Sequence, residues 1–459
     1  MLPTLLRSFL FFSGAFCYSE DLVNDLPGFP FKPTFDIYAG YLQADNNATT
    51  MLHYTFIESR NNVSTDPLII WFNGGPLASA YFGLYSVDEV LAAINGTMEL
   101  PPNVAEFLAN RTYATSDDSI ARGNYRAINE FFRKFPQFVN SSLFIMGESY
   151  GGIYVPTLAR IIIRGINSED FPNKNLEGIA IGNGIVDMFY NDIAMLIWSH
   201  NNGRISTYSW NALNIACNGR FNDPIRHLYR RQVMGSRDYL IFATMQGLWK
   251  KDKGEGFTAT YNSIGENLYD FYLDCYGHVE NETRAEELES ARALHVSPKW
   301  MEMNKEWSFI ATEADRMKHL THYFHTKNVF NDIFDEYKKP LKVLIYAGDT
   351  DSVVPHLGSR WFVHDFAEDH GFETQVSHSH WSYRGRAAGF LQSYTRNRDN
   401  KTMTTLSVKG AGHKVPSSRP GAALQMITNF IRAKGRNVDY SKPIKHPRKA
   451  SSAATNNSL

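Results

Sequence analysis

Leu143-Phe144-Ile145-Met146-Gly147-Glu148-Ser149-Tyr150-Gly151-Gly152 is the stretch whose reading decides the fold. Its first four residues are a short apolar run of the kind that fills a buried strand, and residues 153–163 carry apolar side chains at helical spacing. Between them a serine sits in a G-x-S-x-G turn. Strand, turn and helix in that order describe a nucleophile elbow, in which backbones crowd so closely that glycine is needed on both sides of the serine. The turn lifts the hydroxyl above the sheet edge, and the helix N-terminus behind it favours negative charge developing nearby.

An α/β-hydrolase places its acid and its histidine after the serine, in that order. Downstream, Val343-Leu344-Ile345-Tyr346-Ala347 reads as a strand and runs straight into Gly348-Asp349-Thr350-Asp351. Thr405-Leu406-Ser407-Val408 reads as another, followed by Gly410-Ala411-Gly412-His413. Each partner thus lies on a loop at a strand end, where ligands bind in open sheets. Asp351 is the expected acid, with Asp349 as its competitor, and His413 the expected base.

With these stretches in hand, the chain resembles the serine carboxypeptidase family. The matching residues are Trp71-Phe72-Asn73-Gly74-Gly75-Pro76, Gly147 to Gly152 with Tyr154-Val155-Pro156, Gly348 to Asp351, and Gly410 to His413 with Val415-Pro416. Weaker likenesses include residues 131–138, Ile181-Gly182-Asn183-Gly184 and Ala423-Leu424-Gln425-Met426, so the resemblance runs from about residue 31 to residue 434. It implies an α/β-hydrolase fold: a mixed central sheet flanked by helices, with an inserted, mostly helical cap. It also implies a serine-type carboxypeptidase acting on peptides at acidic pH through an acyl-enzyme on Ser149, with Asp351 and His413 completing the triad. By the same resemblance the oxyanion would lie against the N–H groups of Gly75 and Tyr150. The substrate's terminal carboxylate would be held by Asn73, Gly74 and Glu148. A carboxylate attracts another only while it is protonated, so Glu148 makes acidic conditions favourable for peptide binding, while a neutral His413 is needed for acyl transfer. Turnover on peptides is therefore expected to be bell-shaped with an acidic optimum. A homodimer is a further expectation from the resemblance.

The rest of the chain agrees with an exported enzyme. Its 459 residues are 43% hydrophobic and 14% aromatic, enough for a large core, and a net charge of −1 argues against nucleic-acid binding. Residues 1–19 carry Arg7 and a short apolar stretch, a secretory signal too short to span a membrane, with cleavage expected near Cys17 or Ser19. No later run reaches eighteen apolar residues, so no membrane span is expected. Loss of Cys17 leaves Cys217 and Cys275 as an even pair in an oxidising compartment. They are expected to form a disulfide contributing roughly 4 kcal/mol by loop closure, the alternative being two buried thiols. Glycosylation sequons begin at Asn47, Asn62, Asn95, Asn110, Asn140, Asn281, Asn400 and Asn456. The destination is the secretory pathway, ending in an acidic lysosome or vacuole or outside the cell.

Residues 20–190 and 341–435 are expected to form the hydrolase core, 191–340 the inserted cap, and 436–459 a disordered basic tail. Within the core, residues 35–56 read as a hairpin, 67–72 as a strand, 124–135 as an amphipathic helix and 421–433 as the closing helix. His319, His322 and His325 recur at three-residue spacing on an expected cap helix, but no H-E-x-x-H pattern accompanies them, so neither a metal nor a cofactor is expected. Trp249, Phe271 and Tyr272 read as cap core.

Two departures from the family pattern bear on activity. After Asn-Gly-Gly-Pro the family continues Gly-Cys-Ser-Ser, whereas this chain has Leu77-Ala78-Ser79-Ala80. A side chain at 77 threatens to shift the Gly75 amide, and a misplacement of about 1 Å can cost on the order of a hundredfold in rate. Second, no run of β-branched residues between Phe72 and Leu143 replaces a core strand of the family. These departures support one alternative, an impaired relative serving as a binding or protective partner; shared acyl-enzyme chemistry supports another, an acyltransferase using the same triad.

Overall fold

A computed structural model describes residues 20–25, 34–47, 50–75, 114–208, 210–211, 267–273, 292–296, 318–320 and 323–444. The signal, Leu77, most of the expected cap, Cys217, Cys275 and residues 76–113 of the interval lacking a recognisable strand lie outside them.

The chain opens with β1 (Ile37–Gln43) and β2 (Met51–Ile57), an antiparallel hairpin pairing Ile37 with Ile57 and Gln43 with Met51. β3 (Leu68–Phe72) follows, then β4 (Ala114–Ser116) and helix α1 (Asp117–Lys134). The elbow strand β5 (Leu143–Glu148) leads into α2 (Gly151–Asn167), and β6 (Leu176–Gly182) into α3 (Met188–Asn201). After the cap region come β7 (Lys318–Leu320), α4 (Lys327–Glu336), β8 (Lys342–Gly348) and α5 (His356–Asp369). The last elements are β9 (Glu373–Tyr383), β10 (Arg386–Arg396), β11 (Lys401–Val408), the short α6 (Val415–Ser418) and α7 (Pro420–Arg432).

Seven strands form the central sheet in the order β3-β5-β6-β8-β11-β10-β9. β3, β5, β6, β8 and β11 run parallel, while β10 pairs antiparallel with β11 and β9. β3, β5 and β8 are buried on both faces along nearly their whole length, which is why they read as largely apolar runs. Alternate residues feed two cores: Leu143 and Ile145 of β5 join α1, α2, α4 and α5 on one face, while Phe144 and Met146 join α7 on the other. Val343 and Ile345 of β8 divide from Leu344 and Tyr346 in the same way. The result is a mixed sheet between two helical layers, the α/β-hydrolase architecture.

Among the described residues β3 is the outer strand of this sheet, and the β1–β2 hairpin is a separate two-stranded sheet. A third pair joins β4 to β7 in parallel, tying residue 114 to residue 318.

Several expectations need correction. α1 begins seven residues earlier than 124, because Ser116 and Ser119 cap it reciprocally and Asp117 and Asp118 complement the positive end of its dipole. His319 lies in strand β7 and His325 in an isolated bridge to Asp187, so the expected helical face of histidines does not form. Among the described residues no group of histidine, cysteine or carboxylate side chains is arranged to hold a metal. Tyr272, expected in the cap core, is 77% exposed. The expected tail is also held through residue 444. Gln425 Nε2 donates to the Tyr440 carbonyl at 2.9 Å, Asn429 Nδ2 to that of Lys442 at 2.8 Å, and Tyr440 is buried against α7. No described helix is long and apolar enough to cross a membrane.

Candidate active site

Every described catalytic or substrate-binding residue predicted from sequence lies at the C-terminal end of a parallel strand or in the loop that follows it. Parallel pairing puts these ends along one edge of the sheet, so residues 73, 148, 183, 351 and 413 gather although hundreds of positions separate them.

Ser149 leaves β5 with φ 62°, a left-handed conformation that costs a non-glycine residue of order 1–3 kcal/mol and persists only where its surroundings enforce it. Here they do. The Ser149 N–H donates to the Gly182 carbonyl at 3.0 Å, and the Ser149 carbonyl accepts from Gly152 at 2.9 Å and Ile185 at 3.0 Å. Tyr150, at the start of α2, is fixed from its far end by a 2.9 Å hydrogen bond from its hydroxyl to the buried Asp117. The loop after β3 presses against this turn. A Cβ on Gly74 would lie 2.4 Å from the Tyr150 nitrogen and 2.5 Å from the Ser149 Cβ, so no larger residue fits. Gly75 has φ 111°, open to glycine alone.

His413 and Asp351 meet as the sequence order suggested. The His413 Nδ1 lies 2.6 Å from Asp351 Oδ2, and because a carboxylate only accepts, Nδ1 carries the hydrogen and Nε2 is left with the lone pair. Nε2 is buried and has no hydrogen-bond partner among the described residues. Burial works against the imidazolium, but the charge and hydrogen bond of Asp351, aided by the charge of Glu148, leave the histidine's proton affinity above its ordinary value. Asp349, the competitor, turns elsewhere: its carboxylate accepts from the Gly410 N–H at 2.6 Å and shapes the loop that carries His413.

Asn183 was part of a family likeness in the sequence but had no role assigned. Fully buried, it donates from Nδ2 to Asp351 Oδ2 at 2.7 Å and accepts from the Gly348 N–H at 3.1 Å. With the Val353 N–H on Oδ1 at 2.8 Å, three donors converge on Asp351. Residues 267–273 were also missed. The Tyr269 carbonyl accepts from the His413 N–H at 2.5 Å, and its ring lies 4.8 Å from the imidazole. Asp270 accepts from the Thr350 hydroxyl at 2.8 Å and the Ser418 hydroxyl at 3.2 Å, joining the acid loop to the histidine loop. No local pattern announces a segment that works through contacts about 80 to 150 positions ahead.

Glu148 is 7% exposed, and no described group hydrogen-bonds its carboxylate. Burial pushes it up to about 7, against the pull of His413 and Lys414 and with a contribution from the charge of Asp351. Asn73 is buried beside it in the sequence of strand ends. The Trp71 indole donates to Asn73 Oδ1 at 2.7 Å, and since an indole can only donate, the amide orientation is fixed with Nδ2 as its donor end.

Of the eight sequon asparagines, Asn47, Asn62, Asn140 and Asn400 are described, and all four are exposed. The other four lie outside the described residues.

Residues 27–87 and 108–433 match the profile of the serine carboxypeptidases. A curated relative, the Caenorhabditis elegans serine carboxypeptidase ctsa-3.1, is 29% identical over 90% of this chain and 88% of its own length. The mouse lysosomal protective protein is 25% identical over 90% of this chain and 94% of its own. Among solved structures, that of Kex1(delta)p, a prohormone-processing carboxypeptidase from Saccharomyces cerevisiae, superposes with a TM-score of 0.65 at 17% identity. It covers 92% of this chain and 99% of the yeast chain, a likeness of fold.

Proposed function

This chain belongs to the serine carboxypeptidase family, and we propose that it removes C-terminal residues from peptides by acyl transfer through Ser149. The observation that carries the proposal is the His413–Asp351 hydrogen bond at the strand edge that also holds the strained Ser149. In this reading His413 Nε2 takes the Ser149 proton as the hydroxyl attacks the scissile carbonyl and returns it to the leaving amine. Asp351 holds the imidazole in the required tautomer and stabilises its charged form. The N–H groups of Gly75 and Tyr150 receive the oxyanion, and one such donor typically lowers the barrier by ~3 kcal/mol. Asn73, the Gly74 N–H and protonated Glu148 hold the terminal carboxylate. With Glu148 raised to about 7, that acid remains protonated through the acidic range. The mouse relative, named as lysosomal, supports a secretory route to an acidic compartment.

One observation favours a second reading. The family match is interrupted at residues 88–107, beginning eleven positions after Leu77 in the sequence. A chain whose oxyanion loop is displaced would keep the fold and serve as a binding or protective partner. Fluorophosphonate labelling of the purified protein beside a Ser149→Ala control separates the two. Labelling that disappears in the variant is the expected result. A folded protein that does not label would overturn the peptidase reading and leave the binding role.

A further inference from the structure

Between the start of α5 and the outer strands β9, β10 and β11 lies a cleft that shares no residue with the triad. His356 and Arg360 line it from α5, His378 from β9, Phe390 and Gln392 from β10, and Thr405 from β11. None of its described lining residues is acidic. Arg360 is held from behind. Its Nε donates to Gln392 Oε1 at 2.9 Å, and Gln392 Nε2 donates to the Ser377 carbonyl at 2.7 Å, which keeps the amide oxygen toward the guanidinium. The two terminal nitrogens of Arg360 have no hydrogen-bond partner among the described residues. His356 stands one helical turn earlier, and its Nδ1 is buried, also without a partner among the described residues. Such an atom costs free energy until something supplies the missing contact. Burial favours the neutral imidazole; the charge of Asp349 opposes this and that of Arg360 adds to it. A neutral ring can carry its hydrogen on Nδ1 and donate it. Pro355 supplies no side-chain cap, so the positive end of the α5 dipole reinforces the field. At the rim the Phe390 ring is 50% exposed, and His378 stacks on it at 5.0 Å with 12° between the planes.

We propose that this cleft is a second binding site, one that takes a phosphate group on the Arg360 fork and the imidazoles of His356 and His378. The inference stands apart from the peptidase reading. A guanidinium fixed through Nε presents its terminal nitrogens as a planar pair, the geometry that grips an oxyanion through two parallel hydrogen bonds. With the two imidazoles, the donors outnumber the two oxygens of a carboxylate and suit a phosphate, which has three or more. Size limits what enters. The cleft has room for about 60 Å³, under half of the roughly 150 Å³ cavity that admits benzene. The phosphate therefore occupies the cleft alone, and any organic group esterified to it lies outside, over the exposed part of Phe390. Free phosphate and a phosphate monoester share the head-group chemistry and differ only in their use of that ring.

Calorimetric titration of the full-length protein with inorganic phosphate, phenyl phosphate and benzoate tests the site. Both phosphates are expected to bind, and benzoate about tenfold more weakly than phenyl phosphate. Arg360→Gln should weaken phenyl phosphate binding by about tenfold or more, and His378→Ala by about threefold. His378 is exposed on β9, so its variant decides the matter should Arg360→Gln fail to fold. A preference for phenyl phosphate over inorganic phosphate that disappears in Phe390→Ala assigns an ester; equal binding of the two assigns free phosphate. The Ser149→Ala protein should bind as the wild type does, and loss of binding there would place the ligand at the triad and overturn the cleft. Absence of phosphate binding, benzoate binding as tight as that of phenyl phosphate, or affinity unchanged by both Arg360→Gln and His378→Ala would each overturn it as well. Failure of the wild-type protein to label with fluorophosphonate would count against the peptidase reading alone.

Discussion

Two buried carboxyl groups flank the proposed nucleophile, and they are built in opposite ways. Asp351, at 0% exposure, receives hydrogen bonds from His413, Asn183 and the Val353 backbone. Glu148, nearly as buried, receives none from any described group, and burial raises it to about 7. The Asp351 side is a closed network in which each partner fixes the next. The Glu148 side is open, a carboxyl whose charge is held off until something else arrives. One buried group orients a base; the other is poised to exchange a proton.

The sharpest way to break the comparison is to remove the charge from the closed side. Asp351→Asn is expected to lower kcat on a peptide substrate by about 10⁴, because an amide facing Nδ1 stabilises the wrong tautomer. A loss below about tenfold in single-turnover assays would deny Asp351 that role.

Glu148→Gln tests the open side. In the wild type, binding of a peptide acid should weaken as pH rises through about 7, so the acid-to-amide ratio of kcat/KM falls about fivefold between about pH 7 and about pH 8. The variant, which donates a hydrogen bond at any pH, should show a flat ratio. Stability carries the same signature. A carboxyl raised on folding contributes stability that is present below its unfolded value and lost as pH rises through about 7. Glu148→Gln should therefore match the wild type near pH 4 and exceed it near pH 8, by on the order of 3 kcal/mol in urea unfolding. Identical pH dependence for the two proteins would show that Glu148 is solvated in the folded state.

A smaller effect is expected at the support of the closed network. Asn183→Ala removes a donor from Asp351 and strands the buried Gly348 N–H, a loss of about 2 kcal/mol in chemical denaturation. The smallest is Trp71→Phe, which frees Asn73 Oδ1. About 1 kcal/mol of positioning, or roughly fivefold in the acid-to-amide ratio, should be lost while amide turnover holds.

The legible parts of the fold were those whose signal is local. β5 and β8 read as strands because both faces are buried, leaving unbroken apolar runs. The α1 start was missed because its cap is Ser116 with Ser119 rather than with the usual glutamate or glutamine, a pairing that looks like an ordinary polar loop. The three histidines misled because equal spacing suggests a helix, whereas residues 318–320 pair with a strand two hundred positions earlier. Tyr440 was assigned to a tail because the sequence around it is polar and basic, although one aromatic ring and two amide hydrogen bonds suffice to hold the segment.

The sequence by itself determined the catalytic candidates and their order, since a G-x-S-x-G turn and two strand-end loops are patterns of adjacent residues with fixed backbone demands. It also determined the family, through motifs spread along nearly the whole chain. Only the tertiary structure decided between Asp349 and Asp351 and brought Asn183 and residues 267–273 to the triad. Those outcomes depend on which strand ends share an edge and on how much water is excluded there. Parallel pairing and burial set both, and neither is a property of any short stretch of chain.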